Sequence, residues 1–422
     1  MARSRSTWLR RCLAFLLILA VTSTSAYAQK GKGKGNGGGG GDDGGGDPPA
    51  NLPAVRYAIA TIPQSDGPEY ISEINNSGIA VGHIDNEGFV FDAINNSFYD
   101  LNSIPSLIGQ LPAGFIFEHI TAINDTGNFV GDIVNTSTDE TLVCVVDTAS
   151  SSDPTNWDVL VLPNMGDEER DSARDINNSG DMLVGFWRTD GTRDMYIYNP
   201  WADNPVGAAP PIIVGVANRT NGVLNNWGEV AMDDNDGNIF IFDSLTQQTT
   251  TINAHSDSLF IQGFNDQGVL SGAAKFVSLG KWSAIRYDNE LEILPSASYP
   301  DSTWQGVYVH QGINNENDVS FFSEYWDRKG LCQDAFLIHT GTSGDPTESF
   351  WSLDDLILAS DPLADGWNSA RIKRVTAMSD RADAQSADGF PLLCVEFNVP
   401  KSKGNPGGFY QAVLIPVDIQ TP

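Results

Sequence analysis

The stretch Ile71-Ser72-Glu73-Ile74-Asn75-Asn76-Ser77-Gly78-Ile79-Ala80-Val81-Gly82 contains two short apolar segments separated by a polar turn. Asn or Asp opens such a turn because its side chain bonds the backbone two residues further on. Gly supplies the left-handed residue that closes a short hairpin loop. The stretch therefore predicts a β-hairpin whose turn lies at residues 75–78.

The same hairpin recurs along the chain. The further turns are Asn124-Asp125-Thr126-Gly127, Asn177-Asn178-Ser179-Gly180, Asn225-Asn226-Trp227-Gly228, Asn265-Asp266-Gln267-Gly268, Asn314-Asn315-Glu316-Asn317 and the most eroded copy, Ser379-Asp380-Arg381-Ala382. In the sixth copy Asn317 replaces Gly, and Asn also tolerates positive φ. Seven equivalent positions, 78, 127, 180, 228, 268, 317 and 382, therefore define seven units.

A second hairpin follows the first in most units. Phe89–Phe91 and Ile239–Phe242 are apolar on successive residues, which predicts sheets that are covered on both faces. Four short strands in roughly 40–50 residues is the size of a propeller blade, and such a blade must stack on its neighbours. We therefore predict an all-β, seven-bladed β-propeller over residues 53–422, with a β-solenoid or a pair of β-sandwiches as the alternatives.

The two ends of this body complement each other. Residues 57–62 resemble a fourth strand without a blade, and the seventh unit ends after residues 413–417 without an obvious fourth strand. Pairing of these two segments would close the ring and remove its open edges. We therefore predict that an N-terminal strand pairs with the last blade.

The first residues have the pattern of an export signal. Four arginines precede an apolar run, Leu13–Val21, that is too short to span a bilayer, and Ala26-Tyr27-Ala28 is typical of a signal-peptidase site. Residues 1–28 are therefore predicted to be a signal peptide, and the protein is predicted to be secreted, to the extracellular medium or the periplasm. Residues 29–52 are Gly-rich and predict a disordered tether.

Charge restricts the classes of partner. The chain has a net charge of −30, which becomes about −34 once the four leader arginines are removed. Such an acidic protein repels nucleic acid, so we expect no nucleic-acid partner, and no later segment predicts a membrane span. An extracellular protein or a glycan remains as the expected partner. The sequence does not indicate an oligomeric state.

The repeats also resemble a known family. Copies that read Ile-Asn-(Asn/Asp)-x-Gly-x-x-Val-Gly, followed by a third strand such as Asp334-Ala335-Phe336, are similar to the HAF repeats of exported bacterial proteins. No copy retains the His of that name. The resemblance covers residues 55–417. It implies export and propeller-like repeats, and it implies no defined reaction.

Metal and cysteine chemistry have few candidates. The acidic turn around Asp233, Asn235 and Asp236 is the best candidate for a Ca²⁺ site, although its Gly237 arrives one place too early for a calcium loop, so a plain polar turn is the competing interpretation. Cys332 and Cys394 are the best pair for a disulfide, since both fall in the last two units. Otherwise no cofactor is predicted.

Aromatic residues in two long loops are the candidate ligand site. The proposed ligand-binding residues are Tyr299, Trp304, Tyr308, His310 and Trp367. Aromatic faces beside acidic residues suit stacking on sugars or cations. The competing interpretation is that these side chains cover the core beneath the loops.

The function that these observations favour is an exported, non-catalytic binding or scaffolding module. No catalytic set recurs in the units, and no catalytic residue can be named, so an enzyme is the less favoured interpretation. The alternative is a glycan-active hydrolase or lyase with an acidic and aromatic site at the mouth of the propeller. Such an enzyme needs two carboxyl groups within about 10 Å of each other.

Overall fold

The computed structural model describes residues 55–62, 69–148, 151–163, 171–187, 193–200, 212–217, 222–234, 237–276, 280–295, 305–308, 312–327, 330–340, 349–357, 371–381, 390–399 and 408–418. The predicted signal peptide and tether lie outside these residues. Within them, no helix is both long enough and apolar enough to cross a membrane.

Strands make up almost all of the regular structure. The first is β1 (Val55–Thr61), and three groups of four follow: β2 (Glu69–Ile74), β3 (Ile79–Ile84), β4 (Glu87–Asp92), β5 (Ser97–Asp100); β6 (Phe115–Ile123), β7 (Phe129–Asn135), β8 (Thr141–Asp147), β9 (Asp158–Val161); β10 (Asp171–Ile176), β11 (Met182–Trp187), β12 (Arg193–Tyr198), β13 (Ile212–Ala217). The next three groups are β14 (Val223–Leu224), β15 (Glu229–Asp233), β16 (Asn238–Asp243), β17 (Gln248–Asn253); β18 (Ser258–Phe264), β19 (Leu270–Phe276), β20 (Lys281–Asp288), β21 (Glu290–Ile293); β22 (Gln305–Tyr308), β23 (Val319–Asp327), β24 (Gly330–His339), β25 (Ser349–Ser352). The last strands are β26 (Arg371–Arg381), β27 (Pro391–Val399) and β28 (Gly408–Asp418). Two one-turn helices, α1 (Pro105–Ile108) and α2 (Leu353–Leu356), and two short 3-10 turns lie in connections.

These strands form seven antiparallel sheets of four strands each. Each group of four given above is one sheet, and β26, β27 and β28 form the seventh sheet together with β1. We number these sheets blade 1 to blade 7 in chain order. The innermost strand is the first strand of each group of four, and in blade 7 it is β26, because β1 lies at the opposite edge of that sheet.

The blades pack face to face around a ring. Seven apolar clusters fill the seven spaces between consecutive blades. Between blades 1 and 2, for example, Val81 and Val90 pack against Phe117 and Ile120, and all four side chains are buried. The third strands of the blades are apolar on successive residues because each blade has one such cluster on either face. The architecture is a seven-bladed β-propeller, as predicted.

The N-terminal strand closes the ring. β1 pairs antiparallel with β28 over its whole length, with Ile59 opposite Leu414. Tyr57 is fully buried, and its hydroxyl donates a hydrogen bond of 3.0 Å to the carbonyl oxygen of Pro391. The predicted closure is therefore confirmed. It joins residues more than 300 positions apart and leaves β28 without a free edge.

The turn between the first and second strand of each blade has the predicted chemistry. In the first copy, the Asn75 side-chain oxygen accepts hydrogen bonds from the backbone N–H groups of Ser77 and Ile79. Gly78 closes this turn at φ +80°, and Asn317 closes the sixth at φ +68°. In blade 7 β26 continues through Arg381, and position 382 lies outside the described residues.

A bulge interrupts the innermost strand of several blades. The pairing register shifts by one residue at Ser72, Thr121, Arg174, Gln262 and Thr376. All five of these bulges lie three positions before the first residue of the turn. A bulge leaves its extra residue out of the ladder and redirects its side chain. Here the five bulge residues, which are all polar, line the space at the axis of the ring.

The predicted Cys332–Cys394 disulfide is not formed, because Cys394 is a free thiol. Cys394 is fully buried on β27 and packs on the face of blade 7 that contacts blade 1, near Ile71 and Phe91. Cys332 lies on β24 of blade 6, on the other side of blade 7. The two cysteines belong to consecutive blades, but this does not bring their thiols together. Cys144 is a free, buried thiol, in keeping with its apolar surroundings.

Candidate functional site

The innermost strands enclose a central channel that contains a cavity of about 440 Å³. Pockets for small molecules are typically about 300–1,000 Å³ in volume. The cavity is lined by the polar bulge residues, by two acidic side chains below them, and by the seven turns at one end. We call the end of the propeller that carries these turns the turn face.

A ladder of amide hydrogen bonds links the turns of the first six blades. The side-chain nitrogen of the first turn residue donates to the backbone carbonyl oxygen of its counterpart in the next blade at 2.9–3.3 Å. The residues joined in this way are Asn75, Asn124, Asn177, Asn225, Asn265 and Asn314, all of them buried. Each of the first five Asn residues thus fixes its own turn and also bonds the next blade, whereas the Asn314 side-chain nitrogen donates to Asp318 in its own blade.

A second circle of hydrogen bonds surrounds the mouth of the channel, and we call its seven side chains the girdle. They are Asn76, Asp125, Asn178, Asn226, Asp266, Asn315 and Asp380. The side-chain oxygen of each member except Asn76 accepts a hydrogen bond of 2.7–2.9 Å from the backbone N–H of the preceding member. Asn76 closes the circle by donating to Asp380 at 3.2 Å.

Amide and carboxylate groups alternate around the girdle, with one exception. Asn76 and Asn315 each donate both side-chain N–H groups to a carboxylate on either side. Asn178 and Asn226 are neighbours, so each donates to one carboxylate only among the described residues. Seven is odd, so strict alternation of donors and acceptors cannot close. The joint between Asn178 and Asn226 therefore keeps two amide N–H groups available to a ligand.

Trp227 lies in the same turn as Asn226 and is 63% exposed. Its indole Nε1 donates a hydrogen bond of 2.8 Å to the carbonyl oxygen of Asp266 in the next blade. The indole is too exposed for packing alone to fix its orientation, so this hydrogen bond does so. The turn of blade 4 therefore carries a preoriented aromatic face on its blade 5 side, in the residue that follows Asn226.

Two carboxylates lie deeper in the channel. Glu73 accepts a hydrogen bond from the Ile123 N–H at 2.9 Å, and Asp175 accepts one from the Leu224 N–H at 2.7 Å. Each thus caps an innermost strand of the following blade. Burial, followed by the negative charge of Asp175, raises the pKa of Glu73 well above its ordinary value. Burial also raises the pKa of Asp175 to about 6.

Two further polar groups line the cavity near these carboxylates. Arg174 is mostly surrounded by protein, and its Nε has no hydrogen-bond partner among the described residues. The Thr376 hydroxyl, on a residue that is only 3% exposed, also has none. Buried polar groups ordinarily have partners, so an unpartnered hydroxyl at a cavity is a place where a ligand atom or water can bind.

The ligand residues predicted from the long loops are mostly untested. Tyr308 lies on β22 opposite Phe322. Tyr299, Trp304, His310 and Trp367 lie outside the described residues. That loop site therefore stays a prediction.

The predicted calcium residues do not all lie within the described chain either. Asp233 ends β15, and its carboxylate accepts a hydrogen bond of 2.9 Å from the Ile261 N–H in the next blade. Asn235 and Asp236 lie outside the described residues. Asp233 thus has an inter-blade role like those of Glu73 and Asp175.

The histidines do not form a catalytic group with an acid and a nucleophile where they are described. His339 lies 3.1 Å from the carboxylate of the buried Asp318 and stacks on Phe390. The His83 and His119 rings meet edge to face at 4.4 Å. Burial and the neighbouring His119 lower the pKa of His83 to about 4.

Sequence reasoning missed the girdle, although its signal is in the chain. Hairpin turn chemistry requires Asn or Asp at the first turn position, and it does not require another Asn or Asp at the second. All seven copies nevertheless have one there. The turn itself does not need this second Asn or Asp, so its presence in every copy indicated that it makes an additional contact. Trp227 was visible in the fourth turn, but its exposure depends on the packing of blades 4 and 5.

The fold and this mouth define the class of the protein as a seven-bladed β-propeller with a polar channel. No protein-family model matches the sequence, and no curated protein matches it. The structure is similar to a chain in the crystal structure of a mitotic checkpoint complex, with 13% identity and a TM-score of 0.42, covering 87% of this chain and 96% of that one. It is also similar to the crystal structure of RRP9 WD40 repeats, with 10% identity and a TM-score of 0.45, covering 85% and 97%.

Proposed function

We propose that this protein is an exported, non-catalytic binding module that holds a carbohydrate at the turn face. The observation that supports this most directly is the exposed, preoriented indole of Trp227, which follows joint residue Asn226 in the same turn. A sugar ring presents an apolar face that stacks on an indole and hydroxyl groups that accept amide N–H bonds. Preorientation of the indole lowers the entropy cost of such a contact.

A binding role also fits the use of the repeated residues. The first turn residues fasten neighbouring blades, and the girdle residues bond their neighbours in a circle. Most turn residues therefore stabilise a rigid rim, and only the joint between Asn178 and Asn226 departs from the repeated pattern. This arrangement suits a module that binds its ligand at one position on the rim. Scaffolding of a protein partner would use the same rim, but the amide and indole chemistry favours a glycan.

The test is a glycan array followed by titration calorimetry with the best-bound glycan. Trp227→Ala should lower the affinity at least about ten-fold, which corresponds to the loss of about 1.4 kcal/mol of stacking. Leu245→Ala removes a side chain that is 87% exposed in another turn and is the matched control. Equal binding by wild type and Trp227→Ala would contradict the proposed site.

Export is supported by the basic leader, the short apolar run and Ala26-Tyr27-Ala28. The resemblance of the turns and third strands to HAF repeats of exported bacterial proteins points the same way. If the full chain is expressed in a bacterium, intact-mass analysis of the released protein should give an N-terminus at Gln29. Retention of the uncleaved chain inside the cell would argue against export.

A glycan-active hydrolase or lyase is kept as a second candidate because two carboxylates, Glu73 and Asp175, line one cavity. Their raised pKa values resemble those of general acids, although both groups are already engaged as acceptors of backbone N–H bonds. Turnover of a polysaccharide that Glu73→Gln abolishes would establish this candidate. No release of reducing ends from any bound glycan would remove it.

A further inference from the structure

We infer that the central channel binds an organic ammonium group between Glu73 and Asp175, below the proposed sugar-binding rim. Glu73 and Asp175 lie on the innermost strands and are not part of the rim. The inference is therefore independent of whether the rim binds a carbohydrate. The chemical class is a primary amine on a slender chain, such as a linear diamine or a lysine side chain.

The first support is the distribution of charge in the cavity. Glu73 and Asp175 lie on innermost strands of blades 1 and 3, and both line the same space of about 440 Å³. Their electrostatic repulsion, to which girdle residue Asp125 also contributes at Glu73, is strong enough to help hold the pKa of Glu73 well above its ordinary value. A bound cation would relieve that repulsion.

The second support is the unused hydrogen-bonding capacity around the cavity. Glu73 uses one carboxylate oxygen to cap Ile123, and its other oxygen has no hydrogen bond among the described residues. The hydroxyl of Thr376, on the blade beside Glu73, is unpartnered and almost completely buried. An ammonium group carries three N–H donors, and the free oxygen of Glu73 and the Thr376 hydroxyl oxygen can each accept one of them.

The third support is the spacing of the acids, which argues against a metal ion. In the part of the chain that the structure describes, no three His, Cys, Asp or Glu side chains are close enough to hold one. A divalent ion needs several oxygen ligands within about 2.6 Å. Two carboxylates alone provide too few ligands for such an ion, whereas an ammonium group needs only hydrogen-bond acceptors.

Arg174 does not neutralise the two acids. Its guanidinium interacts favourably with Asp132, which lies between blades 2 and 3 and does not line the cavity. The expected occupant is a primary amine and not a quaternary ammonium, because only the primary amine has N–H groups to donate to Glu73 and Thr376.

The experiment is titration calorimetry of the full chain with 1,4-diaminobutane at constant ionic strength. Tetramethylammonium and Ca²⁺ are titrated in parallel. Saturable diamine binding near one equivalent is expected, with an affinity that rises from pH 5 to pH 8. Because a bound cation favours the charged forms of Glu73 and Asp175, buffers of different ionisation enthalpy should report proton release on diamine binding.

The variants separate this site from a general effect of charge. Glu73→Gln keeps an acceptor for the Ile123 N–H and removes the charge, and it should weaken diamine binding at least about ten-fold and reduce proton release. Thr376→Val should weaken it several-fold. Asp233→Asn is the matched control, because Asp233 caps Ile261 in the same way but does not line the cavity.

Three results would overturn the inference: no diamine binding above that of matched salt, binding undiminished in Glu73→Gln, or binding of Ca²⁺ with none of diamine. Glycan binding and its loss in Trp227→Ala are measured separately. Failure of the channel site therefore leaves the proposed function intact, and failure of the rim leaves the channel site intact.

Discussion

Gly272 lies on β19 directly opposite Ile261, at the bulge of innermost strand β18. A Cβ atom at Gly272 would lie 2.1 Å from the carbonyl oxygen of Phe260. The equivalent glycines Gly82 and Gly131 have the same close approach to backbone. Their small size is therefore required by the bulge, which also presents the polar residues of the channel.

Replacement of Gly272 by Ala should lower the free energy of unfolding by about 1–3 kcal/mol, because backbone must move to admit the methyl group. Gly268→Ala is the comparison: its φ is +82°, but its added methyl group would meet nothing within 4 Å. That variant should lose about 1 kcal/mol through backbone strain alone. Urea unfolding measures both. A smaller loss in Gly272→Ala than in Gly268→Ala would contradict the steric explanation.

Glu73 should make the protein less stable as the pH rises. Its pKa in the folded state is raised by burial, by Asp175 and by Asp125, so the folded state binds more protons than the unfolded state above about pH 4.5. The free energy of unfolding therefore falls as the pH increases from there. Glu73→Gln should be more stable than wild type at pH 8 and similar to it near pH 4.5.

Thermal unfolding from pH 4.5 to pH 8 tests this expectation. Glu290→Gln alters an exposed carboxylate on β21 and should leave the profile unchanged. A wild type whose melting temperature rises relative to Glu73→Gln as the pH increases would show that the sign is wrong.

At the scale of elements, the hairpin turn is also the fastening between blades. Asn265 accepts hydrogen bonds from the N–H groups of Gln267 and Val269 and donates to Asn314 and Asn317 in blade 6. Its side chain is buried, so removal leaves several polar groups unpaired. A single side chain therefore stabilises both a turn and an interface.

Asn265→Ala should lower the free energy of unfolding by about 2–3 kcal/mol, since each buried group left without a partner costs about 1 kcal/mol or more. Asn95→Ala removes a turn side chain whose amide donates one exposed bond to Asp92, and it should cost less than about 0.5 kcal/mol. Chemical denaturation followed by tryptophan fluorescence compares the two. Equal losses would show that the inter-blade bonds contribute nothing.

The strands of the blades could be predicted from the sequence because their signals are local. The turn residues, the period of the repeats and the apolar third strands all lie within short windows, and each has a direct physical cause. The predicted disulfide was wrong because a pairing depends on which face of a strand each cysteine occupies. Cys394 faces blade 1, and repeat position alone does not determine this.

The candidate site was predictable only in part. We predicted a site formed by aromatic residues in long loops, such as Trp304 and Trp367. These two residues lie outside the described residues. Glu73, Asp175 and Thr376 come together from blades 1, 3 and 7. Their sequence separations are large, and no local pattern distinguishes them from other polar residues of the innermost strands.

At the scale of the whole molecule, closure depends on one strand. β1 contributes the fourth strand of blade 7, and Tyr57 anchors it within the apolar cluster between blades 6 and 7. Removal of β1 would expose the edge of β28 and open the space around Tyr57. Open edges pair with other chains, so association is expected.

A chain that begins at residue 63 should therefore elute as aggregates on size exclusion and should lose its cooperative thermal transition. A chain that begins at residue 53 keeps β1 and serves as the control, with a melting temperature unchanged from that of the chain beginning at Gln29. A monomeric, cooperatively folding product from the shorter chain would refute the role of β1 in closure.

The odd number of residues in the girdle affects how many ligands one molecule is expected to hold. A ring of identical copies would offer seven equal positions, and occupancy would be a matter of statistics. Because an odd circle cannot alternate amides with carboxylates throughout, at least one pair of neighbouring copies must break the rule, and here Asn178 and Asn226 do. The odd number of blades thus makes one position on a repetitive surface different from the others, and the proposed carbohydrate is expected to bind with a stoichiometry of one.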